Sequence, residues 1–321
     1  MANATSHTYT MKDLKEAWAL IQHASHITLL THNDPDADGM SACAALSHVF
    51  ENIGKKIETI YPNQPEFPTE RQARTILINK HVQKPDLIII VDTARFERAY
   101  FPQEFSSIPL INIDHHTSNN IKGLFNFVNP DAASACEELF VILHAWNEPL
   151  VDLYVAQSLL CGTLYDSQVF QTSSTTDRTL AVALELMHRG ANLFEIKNEL
   201  LSSKNPQIIA LWSKILATVT LSPSKTAAWV LIRQSDMKEL GAKPSSLVGI
   251  NNFLGQICGI DVTAIFYETE TGEIKVSLRS KITDVNALAQ RFGGGGHKYA
   301  AGVRLEKPFD TVVAEVTKLL K

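Results

Sequence analysis

Residues 26–40 read HITLLTHNDPDADGM: an apolar run, followed by one histidine and three aspartates within seven residues. A short continuous apolar run such as HITLL suits a strand buried on both faces of a parallel sheet. From Gly39 to Ile53 the period becomes helical, with Leu46, Val49, Phe50 and Ile53 on one stripe and Gly54 as a C-terminal stop. The local unit is therefore strand, acidic loop, helix. Clustered carboxylates raise one another's pKa and cost stability unless positive charge sits among them, so basic side chains or metal ions are required nearby.

The same pattern recurs downstream. DLIIIVD (86–92) ends in Asp92, and IPLINIDHH (108–116) ends in Asp114, His115 and His116. VAQSLLCGTLYD (155–166) is ambiguous, although its length and small residues suit a buried helix, and it delivers Asp166. In an open α/β sheet, ligands bind beyond the carboxyl ends of the strands, so polar clusters that follow three strands should gather on one edge.

A chain of 321 residues exceeds one average core, and two domains are expected. The character changes after MHRGANLFEIKNELLSSKNP (187–206): a helix, PQIIALWSKILATV, precedes strand-like AAWVLIRQ, DVTAIFYETE and EIKVSLRSK, with TETGE as a hairpin turn. The expected fold is α/β: a larger N-terminal domain, residues 1–198, with a mainly parallel sheet flanked by helices, a linker at 199–205, and a smaller C-terminal α/β domain, residues 206–321. The net charge of −5, without a long Lys/Arg block, argues against binding to long duplex nucleic acid or to a membrane surface, but leaves a short anionic substrate compatible. Cys43, Cys136, Cys161 and Cys258 lack CxxC spacing and sit in apolar contexts, which reads as reduced buried thiols. No run reaches membrane-spanning length and the first residues lack a signal-peptide pattern, so a soluble, cytoplasmic protein is expected.

The polar residues at the expected edge are His32, Asp36, Asp38, Asp92, Asp114, His115, His116 and Asp166. Imidazole and carboxylate without thiolate suit a hard or borderline ion such as Mn²⁺ rather than structural zinc. There are donors enough for two ions, with His32 and Asp36 on one, Asp38 on the other, and Asp92 between them. Two ions about 3.5–4 Å apart lower the pKa of a shared water and stabilise both attacking and leaving oxygens in phosphoryl transfer. Asp34 is read as a turn former only, and His23, His48, His144 and His188 as structural. In the second domain the glycines of GGGGHKYAAG (293–302) would let backbone N–H groups approach an anion, with His297 as a further donor. The GK[ST] of a Walker A loop is missing. Arg279 offers a fork of donors for a phosphate, or else pairs across the hairpin with Glu268 or Glu273.

HNDPDADGMSA, VDT, IDHHTSN and GTLYDS resemble the four successive motifs of the DHH phosphoesterase superfamily, in order, and VSLRSK and FGGGGHKYAAG resemble its DHH-associated, DHHA1-type C-terminal domain. The arrangement is similar to the NrnA-like nanoRNase and pAp-phosphatase branch. The resemblance implies two Mn²⁺ ions, with Mg²⁺ or Co²⁺ as substitutes, the first held by His32, Asp36 and Asp92 and the second by Asp38, Asp92, His115 and Asp166. It implies catalytic roles for Asp92, for His116 at the scissile phosphate and for Asp114 orienting the histidine pair. His116, Arg279, Ser280, Gly295, Gly296 and His297 would bind substrate, with the active site in an interdomain cleft. The implied activity is hydrolysis of short oligonucleotides (nanoRNA, pApA, pGpG) and of pAp by two-metal activation of water, in a chain for which a homodimer is compatible. Rival readings are an inorganic pyrophosphatase, whose basic Arg-Lys-Lys signature is missing, a RecJ-like single-strand exonuclease, for whose extra domains there is little room, and a catalytically silent nucleotide-binding sensor. One departure from the branch follows Asp166: Thr-Gly and then Phe-Arg are replaced by Ser167, Gln168, Val169, Phe170 and Gln171, which removes a basic contact.

Overall fold

The apolar runs become β1 (His26–Leu30), β2 (Lys56–Tyr61), β3 (Ile76–Ile78), β4 (Leu87–Val91), β5 (Leu110–Asp114) and β6 (Phe125–Val128). They form one sheet in the order β3-β2-β1-β4-β5-β6, with every neighbouring pair parallel. Residues 9–65, 76–201, 206–247 and 249–320 are described by the structure, which is a computed structural model. β1, β4 and β5 are buried at every position, as their uninterrupted apolarity requires. After β3 the chain returns to the other side of β1. The gap beyond the carboxyl ends of β1 and β4 is thus the point where strand order reverses, the usual ligand position in such sheets.

Helices cover the sheet. α1 (Met11–His23) starts at a capping box between Thr10 and Asp13 and buries Leu14, Ala17 and Ile21. α2 (Ala37–Asn52) begins two residues before the apolar period suggested, because Asp36 caps it by accepting from the N–H groups of Asp38 and Gly39. α3 (Ala135–Trp146), α4 (Leu153–Asp166), α5 (Asp177–His188) and α6 (Leu193–Leu201) follow. The ambiguous stretch 155–166 is helical. A single buried stripe on α2 was expected; instead every residue from Ala37 to Ser47 is buried, because the helix packs on the sheet and on α4 at once. Ile53, expected to extend the stripe, is exposed at the C-cap. α6 runs through Leu201 and buries Leu200, so the first three residues of the expected linker are helical, while 202–205 lie outside the described residues.

The chain divides into two compact units, Met1–Ser202 and Ser203–Lys321. The second contains α7 (Pro206–Leu216), β7 (Thr220–Leu221), β8 (Ala227–Ile232), α8 (Gln234–Glu239), α9 (Ile250–Gly255), β9 (Val262–Glu268), β10 (Ile274–Ser280), α10 (Val285–Gln290), β11 (Gly295–His297), β12 (Ala300–Leu305) and α11 (Phe309–Thr317). Its sheet runs β11-β12-β10-β9-β8-β7, parallel at β8–β9 and antiparallel elsewhere. One face packs Phe266, Val276 and Leu278 against Val312 and Val316, and the other packs Val230, Ile232 and Ile265 against Leu211 and Leu254. Cys43, Cys136 and Cys161 are buried thiols as expected, but Cys258 is exposed, because it falls in the turn after α9. Among the described residues no helix is long and apolar enough to cross a membrane.

At Gly162, α4 passes close to its neighbours: a Cβ there would lie 2.4 Å from Cys136 Sγ and 2.5 Å from Asp38 Oδ1. A Gly162→Ala variant is expected to lose about 1–3 kcal/mol through overpacking. It would show as a lower urea midpoint at unchanged slope. Gly255→Ala, where a Cβ meets nothing within 4 Å, should stay within about 0.5 kcal/mol of the parent.

Candidate metal centre

The two strands that flank the reversal point deliver the first donors. His32 follows β1, and its Nδ1 lies 2.7 Å from the Asn33 carbonyl oxygen. A carbonyl only accepts, so Nδ1 carries the proton and donates, and Nε2 is turned toward Asp92 Oδ2 at 3.2 Å and Asp36 Oδ1 at 3.9 Å. Arg98 Nη2 stands 3.2 Å from the same Nδ1, and Arg98 Nε donates to Asn33 Oδ1 at 3.0 Å. The backbones join as well: His32 bridges Ala99, and Asn33 N–H donates to the Arg98 carbonyl.

Asp92 follows β4 with φ of 50°, a left-handed conformation that Asp tolerates better than most residues. Its N–H donates to Ile113 O at 3.0 Å, and its carboxylate points two ways. Oδ2 faces His32, while Oδ1 lies 3.6 Å from His115 Nε2 and 3.7 Å from His116 Nδ1. His115 Nε2 is in turn 3.1 Å from Asp166 Oδ2, at the end of α4. Asp38, in the first turn of α2, is fully buried and accepts from the N–H groups of Ala135 at 2.7 Å and Cys136 at 3.1 Å, so it also satisfies the start of α3. Potential ligand atoms therefore converge in three overlapping groups, each within 4.8 Å: His32, Asp36 and Asp92; Asp38, His115 and Asp166; and Asp92, Asp114, His115 and His116.

Asp114 is buried behind the histidine pair. Its Oδ1 accepts from His116 Nδ1–H and from the His115 backbone N–H, each at 2.8 Å, and its Oδ2 accepts from Asn119 Nδ2 at 2.6 Å. Asn119 also donates to Thr93 O at 3.0 Å and accepts from Asn112 and from the Ile121 N–H, which ties the loop after β5 to the loop after β4. Neither Asn119 nor Arg98 was named from the sequence. Asn119 lies within IDHHTSN, and its spacing from Asp114 was the available signal; Arg98 had none.

The electrostatics test whether cations suit these groups. Burial alone would raise the Asp92 carboxyl, but hydrogen bonds and charge from His115, His32 and His116 hold it well below the usual carboxylate range. Burial, together with the carboxylates of Asp166 and Asp92, pushes Asp38 well up. Burial also pushes Asp166 up to about 6, with Asp36 and Asp92 adding and His115 opposing. Burial opposes charge on His32 and His115, yet their carboxylate partners raise both well above the ordinary imidazole value, and Asp114 and Asp92 raise His116. Without a cation the carboxylates thus depend on imidazole protons for counter-charge. A divalent ion in each of the first two groups would supply that charge with oxygen and nitrogen donors only, which fits the residues present.

Asp34 stays outside these groups: it adopts φ of 54° and exchanges hydrogen bonds with Asn63, the turn role expected of it. Gln168, Val169 and Phe170 hold positive φ values of 50°, 58° and 65° just after Asp166. The remaining expected substrate residues belong to the second unit. Arg279 and His297 both pair in register with Ala300 of β12, one from each side. Gly296 has φ of 149°, and a Cβ there would lie 2.4 Å from Ala300 O, so only glycine fits. Arg279 Nη1 donates to Leu278 O at 3.0 Å, Glu273 pairs with Arg304, and Glu268 accepts from the Gln234 N–H. The Ser280 hydroxyl donates to the Thr283 carbonyl and is engaged within its own turn.

Comparison with known proteins is consistent along the chain. Residues 26–163 match the DHH family, N-terminal domain, and residues 226–321 match the DHHA1 domain. Relatives include the bifunctional oligoribonuclease and PAP phosphatase NrnA of Bacillus subtilis, 26% identical over 92% of this chain and 95% of that protein. The probable NrnA of Streptococcus mutans is 26% identical over 91% of this chain and 93% of its own. A crystal structure of an exopolyphosphatase-related protein from Bacteroides fragilis superposes with a TM-score of 0.87 at 20% identity, covering 98% of this chain and 97% of that one, and shows the same fold. The chain thus carries a DHH-family N-terminal domain followed by a DHHA1 domain, and resembles the NrnA-like branch over nearly its whole length.

Proposed function

We propose that this chain is a Mn²⁺-dependent phosphodiesterase and phosphatase that hydrolyses short oligonucleotides and pAp. The observation that supports it best is the Asp92 carboxylate, whose two oxygens face two separate donor groups. His32, Asp36 and Asp92 would hold one divalent ion and Asp38, Asp92, His115 and Asp166 a second, with Mg²⁺ or Co²⁺ as substitutes. Divalent ions held there would supply Lewis acidity, lowering the pKa of a water and offsetting charge on the phosphate.

The protein's own groups then divide the work. His116, fixed through Nδ1 by Asp114, presents its ring to the scissile phosphate and donates to the oxygen that gains charge. Asp114 and Asn119 keep that ring oriented. In the second unit the N–H groups of Gly295 and Gly296, with Arg279 and His297, are proposed to hold an anionic end of the substrate. Ser280 serves there by anchoring its turn. The relatives named oligoribonuclease and PAP phosphatase support this substrate class over pyrophosphate or long single strands. A reducing, cytoplasmic setting suits the four free thiols.

Turnover of pApA, pGpG, pAp and inorganic pyrophosphate with Mn²⁺ tests the reading. Mononucleotide release from the dinucleotides and phosphate release from pAp are expected, abolished in Asp92→Asn; release from pyrophosphate alone would overturn it. Asn119→Ala should lower kcat by about 10–100-fold, and His116→Gln by about 10²–10⁴-fold, with Mn²⁺ still bound in both. Loss of Mn²⁺ from Asn119→Ala would contradict a purely orienting role. A pH effect has a definite sign. His32 and His115 stay protonated above the usual imidazole range while the donors lack metal, so ligation must displace protons. Mn²⁺ binding near pH 7 should release protons, and apparent affinity should fall as pH falls, more steeply once Asp166 protonates near 6. Calorimetry in buffers of different ionisation enthalpy measures this, and a buffer-independent heat would contradict it.

A further inference from the structure

The first turn of α3 buries two adjacent carboxylates that the proposed chemistry does not use. Glu137 and Glu138 are both wholly buried. Arg178, from the first turn of α5, meets both: its Nε lies 3.5 Å from Glu137 Oε1, and its Nη2 donates to Glu138 Oε2. Glu137 Oε2 also accepts from the Ala133 N–H at 3.0 Å and from the Thr179 hydroxyl at 2.8 Å. Glu138 accepts from the Tyr9 hydroxyl and, at 2.7 Å, from Asn129 Nδ2. Even so, Glu137 Oε1 and Arg178 Nη1 are buried without a hydrogen bond among the described residues. A buried ion pair adds little net stability, and packed apolar side chains of similar volume do as well or better. The cluster is therefore explained by what it positions.

What it positions is next to it in the chain. In the same turn of α3, the N–H groups of Ala135 and Cys136 donate to Asp38 Oδ2 at 2.7 Å and Oδ1 at 3.1 Å. Both oxygens of Asp38 are thus oriented by the helix start that Glu137 and Glu138 anchor. Asn129 carries the tie further: its side chain donates to Glu138, and its N–H donates to the Asp114 carbonyl at 2.9 Å, beside the histidine pair. We propose that Arg178 is a positioning residue for the donor group of Asp38, His115 and Asp166: by neutralising Glu137 and Glu138 together, it keeps the first turn of α3 against Asp38. Without it two buried carboxylates lack counter-charge, and relief comes from moving that turn toward water, which carries the Ala135 and Cys136 N–H groups off Asp38. His32, Asp36 and Asp92 are set by the loops after β1 and β4 and by the start of α2, so the effect falls on one of the two ions. A lysine is a poor substitute, because an ammonium is a point charge and lacks the planar fork that reaches two carboxylates. The inference rests on the two-ion reading above.

Titration of the metal-free full chain with Mn²⁺, followed by calorimetry and electron paramagnetic resonance, tests the proposal. The parent is expected to bind two ions and to give an exchange-coupled spectrum. Arg178→Met should keep its circular dichroism spectrum, bind one ion as the parent does, and lose about 10–100-fold in affinity for the other. The coupled signal would then emerge only at higher Mn²⁺ concentration. Leu186→Ala, which loosens the packing of α5 at a buried position and leaves Arg178 in place, should keep both affinities. Adding Glu137→Gln and Glu138→Gln to Arg178→Met removes the uncompensated charge and should recover part of the lost affinity. Should Arg178→Met fail to fold, Arg178→Lys should fold and show the same one-sided loss at smaller size. No loss, an equal loss of both ions, the same loss in Leu186→Ala, or no recovery in the triple variant overturns the proposal while the two-ion reading stands. A parent chain that binds fewer than two ions overturns that reading, and the proposal with it.

Discussion

Four carboxylates are drawn into one space, Asp38 and Asp92 buried and Asp36 and Asp166 half-buried. Like charges at such depth repel one another strongly unless something positive lies between them. In this chain three histidines stand among the acids, and the directions in which burial and charge move each group describe a set of negative donors short of cations. The backbone around the site is consistent with that demand. Asp92 accepts an uncommon left-handed turn that directs its two oxygens apart, and α2 and α4 are packed closely enough that glycine is needed at 162.

The fold meets this constraint by topology. Strands β1 and β4 are neighbours whose connections leave in opposite directions, so the loops after them open a crevice, and His32 and Asp92 sit at its two lips. Two of the carboxylates have a second duty: Asp36 caps α2, and Asp38 satisfies the start of α3. A helix start favours negative charge, so these ends offset part of the cost of holding the carboxylates ionised. The cost of assembling the acids is shared between imidazole protons and helix ends.

Much of this was legible in the sequence. The run HITLL and the isoleucine-rich DLIIIVD could hardly be anything but buried strands, and the acids and histidines just after them fell on one edge as soon as the strands were parallel. What stayed hidden depended on distant parts of the chain. Arg98 reaches His32 across 66 residues through a loop whose path no periodicity encodes. α2 was read with one apolar stripe because its small residues, Ala37, Gly39, Ala42, Ala44 and Ala45, mask a helix covered on several sides. The Ser280 hydroxyl donates to the Thr283 carbonyl in the turn that follows its strand, a partner that no spacing in the sequence disclosed.

The donors are spread from His32 to Asp166, after strands β1, β4 and β5 and at the end of α4. A growing polypeptide therefore cannot complete the centre until about half of it has been synthesised, by which time β1 to β6 and α2 to α4 are available to condense. Of the donor groups, His32, Asp36 and Asp92 are all present once β4 has been made, whereas the group of Asp38, His115 and Asp166 waits for the last residue of α4, so the two would be completed in sequence rather than together.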